Sequence, residues 1–394
     1  MTDCDVLVIG GGPAGLIAAR EAASANPALD VLLVERDRAI GSPVRCGEGV
    51  GSKGIEEFCD TAGASWICRK ITKVVFWAPD GTETRVTEGD VGYILDRSRW
   101  EPVIAAEAGR AGAEIRVGTE ATGMVRDGDR WRVSLAGPHP HQRGAESVRA
   151  RIVIAADGVE SMAGRWAGLD TRVPSRDMES CAQYVVAGIE FDPDAIYLHF
   201  STVYAPGGYA WIFPKGVGVA NVGLGVVALK ANGVSARAYL DRYVNAYFPT
   251  GVTTSYTVGG VIVHPTIKRT VTDGFIVCGD AAHMVNPLSG GGIVNAMKAG
   301  RLAASAAVDA LARGDTSAAR LQRFHDEWMA MLGEDHLRFY KLKEALSRFD
   351  DDFLNGLART VNAIPVEKRT LRRIFGSALT HHPALLPVVV KYFV

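Results

Sequence analysis

The order of apolar and polar positions in the first 170 residues predicts strands that alternate with helices. An apolar run at 6–9 breaks into glycines and then into a helical stretch that reaches about residue 25, and a second apolar run covers 31–34. Strand, helix and strand in this order are typical of a parallel sheet. Further predicted elements are helices at 56–64 and 95–109, a hairpin of 71–77 with 85–87, and strands at 114–117, 131–135 and 148–154.

The pattern changes between residues 172 and 269. Runs such as 181–191 and 195–203 alternate apolar and polar residues, which predicts an antiparallel sheet with one covered face. An apolar strand then returns at 274–278, glycines open an alanine-rich helix to about residue 312, and the chain from 321 onward is mostly helical. We therefore predict that the antiparallel region is a second domain inserted into the first.

Composition narrows the classes of partner. The 394 residues are 47% hydrophobic and carry a formal net charge of −1, so no overall field attracts nucleic acid. No apolar stretch approaches the roughly 18 residues of a membrane-spanning helix, and the first strand begins too close to Met1 for a signal peptide. We expect a cytoplasmic protein, with peripheral membrane contact still allowed. The scattered cysteines predict free thiols, and His139 and His141 in their Pro/Gly loop are typical of solvated residues, so no metal site is predicted.

The glycine-rich turn after the first strand predicts a site for a dinucleotide. Gly10 permits a tight turn, Gly12 leaves room for a pyrophosphate beside the backbone, and Gly15 lets the helix pack closely on the strand. Pro13 fits the first helical turn, whose amide groups and positive dipole end favour phosphate. Glu35 ends the second strand, where a carboxylate can accept both hydroxyl groups of a ribose.

Three later segments have related features. One strand runs into Asp157 and Gly158, and another runs into Gly279 and Asp280. The glycine-rich segment 41–49 cannot form regular structure. Its backbone suits a fold over a flat ligand, although a plain surface loop is an equally good interpretation of this segment alone.

Together these segments resemble flavoproteins whose FAD domain is of the glutathione-reductase type, as in the aromatic hydroxylases. The sequence PVRCGEG at 43–49 looks like the flavin-covering loop of the geranylgeranyl reductases. The sequence YAWIFP at 209–214, followed after eight residues by GLG at 223–225, is similar to the YxWxFP and GxG signature of that family. The resemblance runs nearly end to end and is closest to archaeal digeranylgeranylglycerophospholipid reductases.

The resemblance implies an α/β fold in which a glutathione-reductase/hydroxylase-type FAD-binding domain carries an inserted antiparallel β-sheet substrate domain and C-terminal helices. The implied pieces are the FAD-binding domain at 1–75, 96–171 and 270–320, a strand pair of the substrate domain at 76–95, the antiparallel substrate domain at 172–269, and a C-terminal helical region at 321–394.

FAD is the implied cofactor. Asp280 would hold its ribityl chain, and the following helix would point its positive end at the flavin edge where the reduced ring carries negative charge. Arg97 is an implied contact as well, although an ordinary cation on a helix surface explains it equally. The expected cofactor-binding residues are Gly10, Gly12, Ala14, Gly15, Glu35, Arg45, Cys46, Gly47, Gly49, Arg97, Ala121, Asp157, Asp280, Gly290, Gly291, Gly292 and Ile293.

The implied substrate is a prenylated lipid. Tyr209, Trp211 and Phe213 alternate, so on a strand they share one face. Such a triplet is usually core, but the resemblance makes it, together with Pro214, the wall of an apolar tunnel for a prenyl chain. Basic clusters at 341–343 and 368–373 either hold a head-group phosphate or form solvated helix faces.

The implied reaction reduces the geranylgeranyl double bonds of archaeal-type glycerophospholipid precursors to phytanyl chains, by hydride from reduced flavin plus a proton. Cys46 and Glu48 are the candidate proton donors, and the resemblance favours Cys46, which alternatively only fits the loop against the flavin. No second nucleotide fingerprint is present, so NAD(P)H, ferredoxin or another low-potential carrier stays open as the electron donor. The alternatives are an FAD-dependent monooxygenase, a reductase for a chlorophyll-type head group, and a non-catalytic flavoprotein.

Overall fold

The computed structural model describes residues 2–137, 146–366 and 369, without the side chains of residues 87–91. His139, His141 and all of the 368–373 cluster except Arg369 lie outside this part. The six cysteines are free. Contacts divide the chain into two units: the first comprises Met1–Val44, Arg97–Val173 and Ile262–Leu337, and the second comprises Arg45–Asp96, Pro174–Val261 and the chain from Arg338.

The described strands, in chain order, are β1 (Thr2–Ile9), β2 (Val31–Val34), β3 (Gly49–Gly51), β4 (Ile67–Trp77), β5 (Glu83–Leu95), β6 (Glu114–Arg116), β7 (Glu120–Asp127), β8 (Arg130–Ala136), β9 (Glu146–Ala155), β10 (Met178–Ala187), β11 (Ala195–His199), β12 (Ala210–Gly216), β13 (Val219–Val227), β14 (Val252–Ile262), β15 (Val271–Thr272) and β16 (Phe275–Val277). The described α-helices are α1 (Pro13–Ala25), α2 (Ser52–Glu56), α3 (Arg97–Arg110), α4 (Ala163–Trp166), α5 (Ala236–Tyr247), α6 (Ile293–Ala312), α7 (Ala318–Trp328), α8 (Glu334–Leu346) and α9 (Asp351–Asn362).

A parallel sheet forms the centre of the first unit. Its strand order is β15-β16-β9-β1-β2-β6, and the hairpin of β7 and β8 joins it through β9. β16, β9, β1, β2 and β6 run parallel, and the apolar residues of β16, β9, β1 and β2 are buried on both faces, as expected of a sheet covered by helices. α1 and α6 pack closely because Gly300 has no side chain: a Cβ there would lie 2.2 Å from the carbonyl oxygen of Ala14.

The carboxyl ends of four of these strands meet at one edge of the sheet. The Gly10 amide donates to the carbonyl of Val34 (2.9 Å), the Ala156 amide to that of Ile9 (2.8 Å), and the Cys278 amide to that of Ala155 (2.9 Å). β1 has β2 on one side and β9 on the other, so the strand order reverses there. Ligands of open α/β sheets bind outside the carboxyl ends at such a reversal.

A second sheet organises the other unit, with strand order β14-β10-β13-β12-β11-β4-β5-β3. The described pairs are antiparallel except for β11 with β4. One face packs against α5 around Tyr184, Ile212, Val222 and Tyr243. Because side chains alternate along a strand, the residues between these core positions lie on the opposite face.

One predicted element differs from the structure, and one observed strand has no counterpart in the prediction. The helix predicted at 56–64 is wrong: α2 ends at Glu56, because Asp60 accepts a hydrogen bond from the Ala62 amide (2.9 Å) in a local turn and Gly63 has a positive φ of 67°. β7 was not predicted, since its sequence has no clear alternation. The predicted hairpin of 71–77 with 85–87 is confirmed; it turns at Asp80 and Gly81, with longer strands than predicted.

The two units also differ from the predicted domain pieces. Residues 45–75 were assigned to the FAD-binding domain, but they cluster with the second unit. The physical reason is strand pairing: β4 pairs with both β5 and β11, and β3 pairs with β5. A sequence pattern indicates a strand but not its partner.

Candidate functional site

In the glycine turn of the first unit, two positions have no room for a side chain and a third has room for one. Gly10 has a φ of +104°, and a Cβ there would lie 2.3 Å from the carbonyl oxygen of Ala156. A Cβ on Gly15 would lie 1.9 Å from the carbonyl oxygen of Gly10. A Cβ on Gly12, in contrast, would have no atom within 4 Å. The turn is therefore packed behind Gly10 and Gly15 and open at Gly12.

The carboxylate of Glu35 lies beside this turn, as its position at the end of β2 predicts. Its Oε2 accepts a hydrogen bond from the Gly11 amide (2.6 Å), and its Oε1 accepts one from the Asp37 amide (2.8 Å). The acid and the glycine turn thus form one polar surface at the carboxyl edge of the sheet.

Asp280 lies at the N-terminus of α6. A Cβ on Gly292 would be 3.4 Å from Asp280 Oδ1. Burial raises the pKa of Asp280, and the charge of Arg97 opposes that shift. Arg97 is ion-paired with Glu101, one turn later on α3, and its side chain is 16% exposed. It is therefore not the solvated surface cation that the alternative interpretation supposed.

The residues of the first unit fit FAD. α1 has 13 residues and α6 has 20. The N-cap residue of each helix is a glycine, so no side chain caps its first amide groups. Uncapped amide groups at a helix N-terminus attract anions. One such terminus adjoins the open Gly12 and Glu35, and the other adjoins Asp280. Pyrophosphate, ribose and the anionic edge of reduced flavin require these donors and acceptors.

Three predicted cofactor residues have structural contacts of their own. Asp157 accepts hydrogen bonds from Ser161 Oγ (2.8 Å) and from the Met162 and Ala163 amides (2.9 and 3.0 Å), so it holds the start of α4. The side chain of Ala14 packs against Gly279: a Cβ on Gly279 would lie 3.1 Å from the Cβ of Ala14. Ala121 lies in β7 and pairs with β8.

An aromatic surface lies on the face of the second sheet opposite α5. Tyr209 and Trp211 have ring centroids 6.0 Å apart, and Trp211 and Phe213 have theirs 6.2 Å apart, so the predicted sharing of one face is confirmed. Pro214 does not belong to this surface. It follows Phe213 and pairs with the buried Ala220, so strand alternation places it on the opposite face.

The glycines of the GxG segment make room for side chains on this aromatic surface. A Cβ on Gly223 would lie 2.4 Å from Cζ2 of Trp211. Because that space is empty, the indole lies across β13 and its Nε1 donates to Gln183 Oε1 (2.9 Å). A Cβ on Gly225 would lie 3.0 Å from Glu179 Oε2 and 3.4 Å from Cys181 Sγ.

The segment 45–49 is fastened to the same surface. Gln183 Nε2 donates to the carbonyl of Cys46 (3.0 Å), and Asn221 Nδ2 donates to the carbonyl of Gly47 (3.1 Å). Cβ atoms on Gly47 and Gly49 would lie 3.0 and 3.1 Å from Phe213 Cε2. The two signature motifs, distant in sequence, therefore form one continuous structure. Arg45 is exposed.

Glu48 is the anchor of this segment. It has a positive φ of 69° and is 5% exposed. Its Oε2 accepts hydrogen bonds from Lys215 Nζ (2.7 Å) and Asn221 Nδ2 (2.9 Å), and its amide donates to Cys46 Sγ (3.2 Å). Lys215 also donates to the carbonyl of Leu95 (2.6 Å). The carboxylate is thus the acceptor of a buried ion pair.

Lys343, from the predicted basic cluster at 341–343, is also engaged. Its Nζ donates to Asp177 Oδ1 (2.9 Å), and Asp177 is completely buried. This ammonium group therefore has a carboxylate partner and is not an open phosphate site. Within the described residues, no group of three or more His, Cys, Asp and Glu side chains is placed to hold a metal ion.

Sequence reasoning missed Lys215, Asn221 and Gln183. Each is a polar residue on a strand that is otherwise largely apolar, and that interruption is the signal that could have found them. Their partners lie more than a hundred residues away in sequence, so the pattern alone could not name those partners.

Comparisons with known proteins agree with this arrangement. The FAD binding domain family matches residues 3–205, and the geranylgeranyl reductase catalytic domain family matches residues 177–261. The second match contains the aromatic surface, Lys215, Asn221 and the GxG segment.

Curated relatives match nearly the whole chain. A digeranylgeranylglycerophospholipid reductase of Methanocella arvoryzae is 38% identical over 99% of both chains. One of Methanosphaerula palustris is 42% identical over 98% of this chain and 96% of its own.

Solved structures give the same result. A geranylgeranyl bacteriochlorophyll reductase-like protein of Thermoplasma acidophilum has a TM-score of 0.89 and 32% identity, covering 99% of this chain and 98% of its own. A flavin-dependent brominase has a TM-score of 0.73 at 18% identity, which is a likeness of fold alone. The chain belongs to the geranylgeranyl reductase family of FAD-dependent oxidoreductases.

Proposed function

We propose that this protein reduces the geranylgeranyl double bonds of an archaeal-type glycerophospholipid precursor to give phytanyl chains. The relatives that match nearly the whole chain carry the name of that reaction. The observation that carries the proposal is the built surface of the second unit, where the segment 45–49 is fastened by three polar side chains beside a row of aromatic rings. A surface that holds backbone against aromatic rings suits a flat cofactor and an apolar chain.

FAD, when bound, supplies the hydride. We infer that the amides of the glycine turn hold its pyrophosphate, with Gly12 as the residue whose side the phosphates approach. Glu35 would accept hydrogen bonds from the ribose, and Asp280 would accept them from the ribityl chain. The N-terminus of α6 stabilises negative charge by about 0.3–1 kcal/mol, or up to ~2 kcal/mol when partly buried, which favours the reduced form of the cofactor.

The aromatic surface of Tyr209, Trp211 and Phe213 is our proposed wall for the prenyl chain. Such a chain has no polar atoms, so its binding free energy comes from buried apolar area at about 25 cal/mol per Å². The indole of Trp211 is fixed by its hydrogen bond to Gln183, which keeps the wall in one shape. A rigid wall selects the position of the double bond.

Glu48 and Cys46 take different roles in this proposal. The carboxyl group of Glu48 accepts a hydrogen bond from the Lys215 ammonium group in a buried site, so its role in this proposal is to position the loop. Cys46 stays a predicted proton donor, and its Sγ accepts a hydrogen bond from the Glu48 amide.

The remaining partners are an electron donor and a membrane. NAD(P)H, ferredoxin or another low-potential carrier would reduce the flavin. No helix in the described ranges has both the length and the apolar content to cross a bilayer. Because the proposed substrate carries two long prenyl chains, we infer that the protein takes it up by peripheral contact with the membrane surface.

The experiment is anaerobic turnover with digeranylgeranylglyceryl phosphate and dithionite as the reductant, with mass analysis of the lipid. The proposal predicts a gain of two hydrogens for each double bond reduced. Lipid that remains unchanged while the flavin is fully reduced contradicts it. A parallel incubation with geranylgeranyl bacteriochlorophyllide tests the alternative head group.

A further inference from the structure

A carboxyl group that the predicted site did not include lies on the aromatic surface of the second unit. Glu179 is on β10, two residues before Cys181, and β10 pairs with β13. Its Oε2 lies where the missing side chain of Gly225 leaves space, since a Cβ there would be 3.0 Å away. The last glycine of the GxG segment thus accommodates this carboxyl group.

Glu179 lies near the phenol of Tyr209, the thiol of Cys181 and the ammonium group of Lys343. The charged form of Glu179 raises the pKa of Tyr209 and of Cys181, so its carboxyl group lies close to both side chains. Burial raises the pKa of Glu179 to about 7, and only the charge of Lys343 opposes this shift. No hydrogen bond contributes to the shift among the described residues. The titratable groups that face Glu179 or lie beside it are Cys46 of the loop, Asp177 and Cys181 of its own chain segment, Tyr209 before β12 and Lys343 of α8.

The two acids of this surface therefore differ in kind. Glu48 is paired with an ammonium group at 2.7 Å and accepts a further hydrogen bond, from Asn221 Nδ2, whereas the Glu179 carboxyl group is half-buried and the charge of Lys343 only partly offsets the effect of burial on its pKa. Burial of this kind raises the pKa of a carboxyl group towards neutral pH, so that a substantial fraction of it is protonated there. General acids work best when their pKa lies near the working pH, and saturation of an isolated double bond needs a proton at one carbon and a hydride at the other.

We propose that Glu179 is the general acid of the reduction. This inference rests on the proposed function. The O–H bond of Glu179 breaks and a C–H bond forms at one alkene carbon, while the other carbon takes the hydride of reduced FAD, so that the alkene is reduced and the flavin is oxidised. The carboxylate that remains is stabilised by the ammonium group of Lys343, and it regains a proton from solvent before the next double bond.

The first test is Glu179→Gln, which keeps the size of the side chain and removes the proton. The rate of flavin reoxidation by digeranylgeranylglyceryl phosphate should fall by about 10²-fold or more, with unchanged FAD content. The wild-type rate should decline above about pH 7, and that decline should be absent in the variant. The matched control is Glu190→Gln, which changes an exposed carboxylate of the same unit and should retain the wild-type rate and pH profile.

A second measurement does not depend on turnover. Infrared difference spectra of the lipid-free holoenzyme should show a protonated carboxyl band that disappears as the pH rises through about 7, and Glu179→Gln should remove that band. A normal rate in Glu179→Gln, together with loss of reduction in Cys46→Ser, overturns the inference and assigns the proton to the thiol. A wild-type enzyme that leaves the lipid unchanged refutes the proposed function instead.

Discussion

The Lys215 to Glu48 ion pair is a buried contact that anchors the segment 45–49. The two side chains are 18% and 6% exposed, so removing one partner leaves the other charge buried. Breaking a buried pair in this way costs about 3–5 kcal/mol. We predict that Lys215→Met lowers the free energy of unfolding by that amount, measured by urea denaturation.

A matched control uses an exposed pair. Arg172 and Asp170 are 84% and 65% exposed, so Arg172→Met should change stability by less than about 1 kcal/mol. A double-mutant cycle with Glu48→Gln separates the coupling of the pair from the loss of each side chain. Additive effects of the two substitutions contradict the anchor role.

Gly223 should not tolerate a methyl group, because its missing side chain is the space that Trp211 occupies. A Cβ there would lie 2.4 Å from the indole, and such overpacking costs about 1–3 kcal/mol. We predict that Gly223→Ala shifts tryptophan fluorescence and slows lipid reduction. Gly216→Ala on β12 is the control, because its Cβ would meet no atom within 4 Å. If the two variants behave alike, the fixed indole is not needed.

The stability of the fold should record the protonation of Glu179. Its folded pKa of about 7 lies above the usual 4.5, so between these values the folded protein keeps a proton that the unfolded chain loses. The protonated Glu179 contributes its full share of the free energy of unfolding below the unfolded pKa of 4.5, and this contribution is lost as the pH rises through the folded pKa of about 7. The Tm of Glu179→Gln, minus that of the wild type, should therefore increase from about pH 5 to about pH 8, while Glu190→Gln gives a constant difference.

The strand, turn and helix unit of β1 and α1 offers a test of cofactor binding that separates ligand contact from folding. Gly12 has extended backbone angles that any residue adopts, and a Cβ there is in open space. We predict that Gly12→Ala leaves the stability of the FAD-free protein within about 1 kcal/mol but weakens FAD binding by at least about tenfold, measured by calorimetric titration. Gly15→Ala should instead destabilise the FAD-free protein, because its Cβ would lie 1.9 Å from a carbonyl oxygen. Unchanged FAD affinity in Gly12→Ala contradicts the assignment.

The elements that the sequence predicted well are those with a strong local signal. β1, β2, β9 and β16 each contain a short apolar run that leads, within two residues of the strand end, to a glycine or an acid, and burial on both faces produces such runs. The prediction of a helix at 56–64 was wrong because Asp60 forms a local turn within a helix-like sequence.

The candidate site was predictable only in part, for the same reason. The glycine turn and the aromatic alternation are local patterns, so they could be read from neighbouring residues. Lys215 and Asn221 act through partners more than 160 residues away, and Glu179 matters because Gly225 lies on the neighbouring strand. Such information exists only after the strands have paired.

Across the whole molecule, each unit carries its own share of the chemistry. The first has two uncapped helix N-termini, an open glycine and two acids that suit FAD. The second has an anchored loop, a fixed aromatic row and a carboxyl group whose pKa burial raises to about 7. Donors for an anionic cofactor and an acid beside an apolar wall are the components that a reductase of isolated double bonds requires.

The most direct test of this account is a single turnover without oxygen. The flavin is photoreduced and digeranylgeranylglyceryl phosphate is added. The absorbance of oxidised flavin is then followed, and the mass of the lipid is measured by mass spectrometry. We predict that the absorbance returns with one pair of hydrogens added to the lipid for each flavin oxidised. Flavin that stays reduced with the lipid, but reoxidises in air with oxygen inserted into a substrate, would contradict the account and identify a monooxygenase.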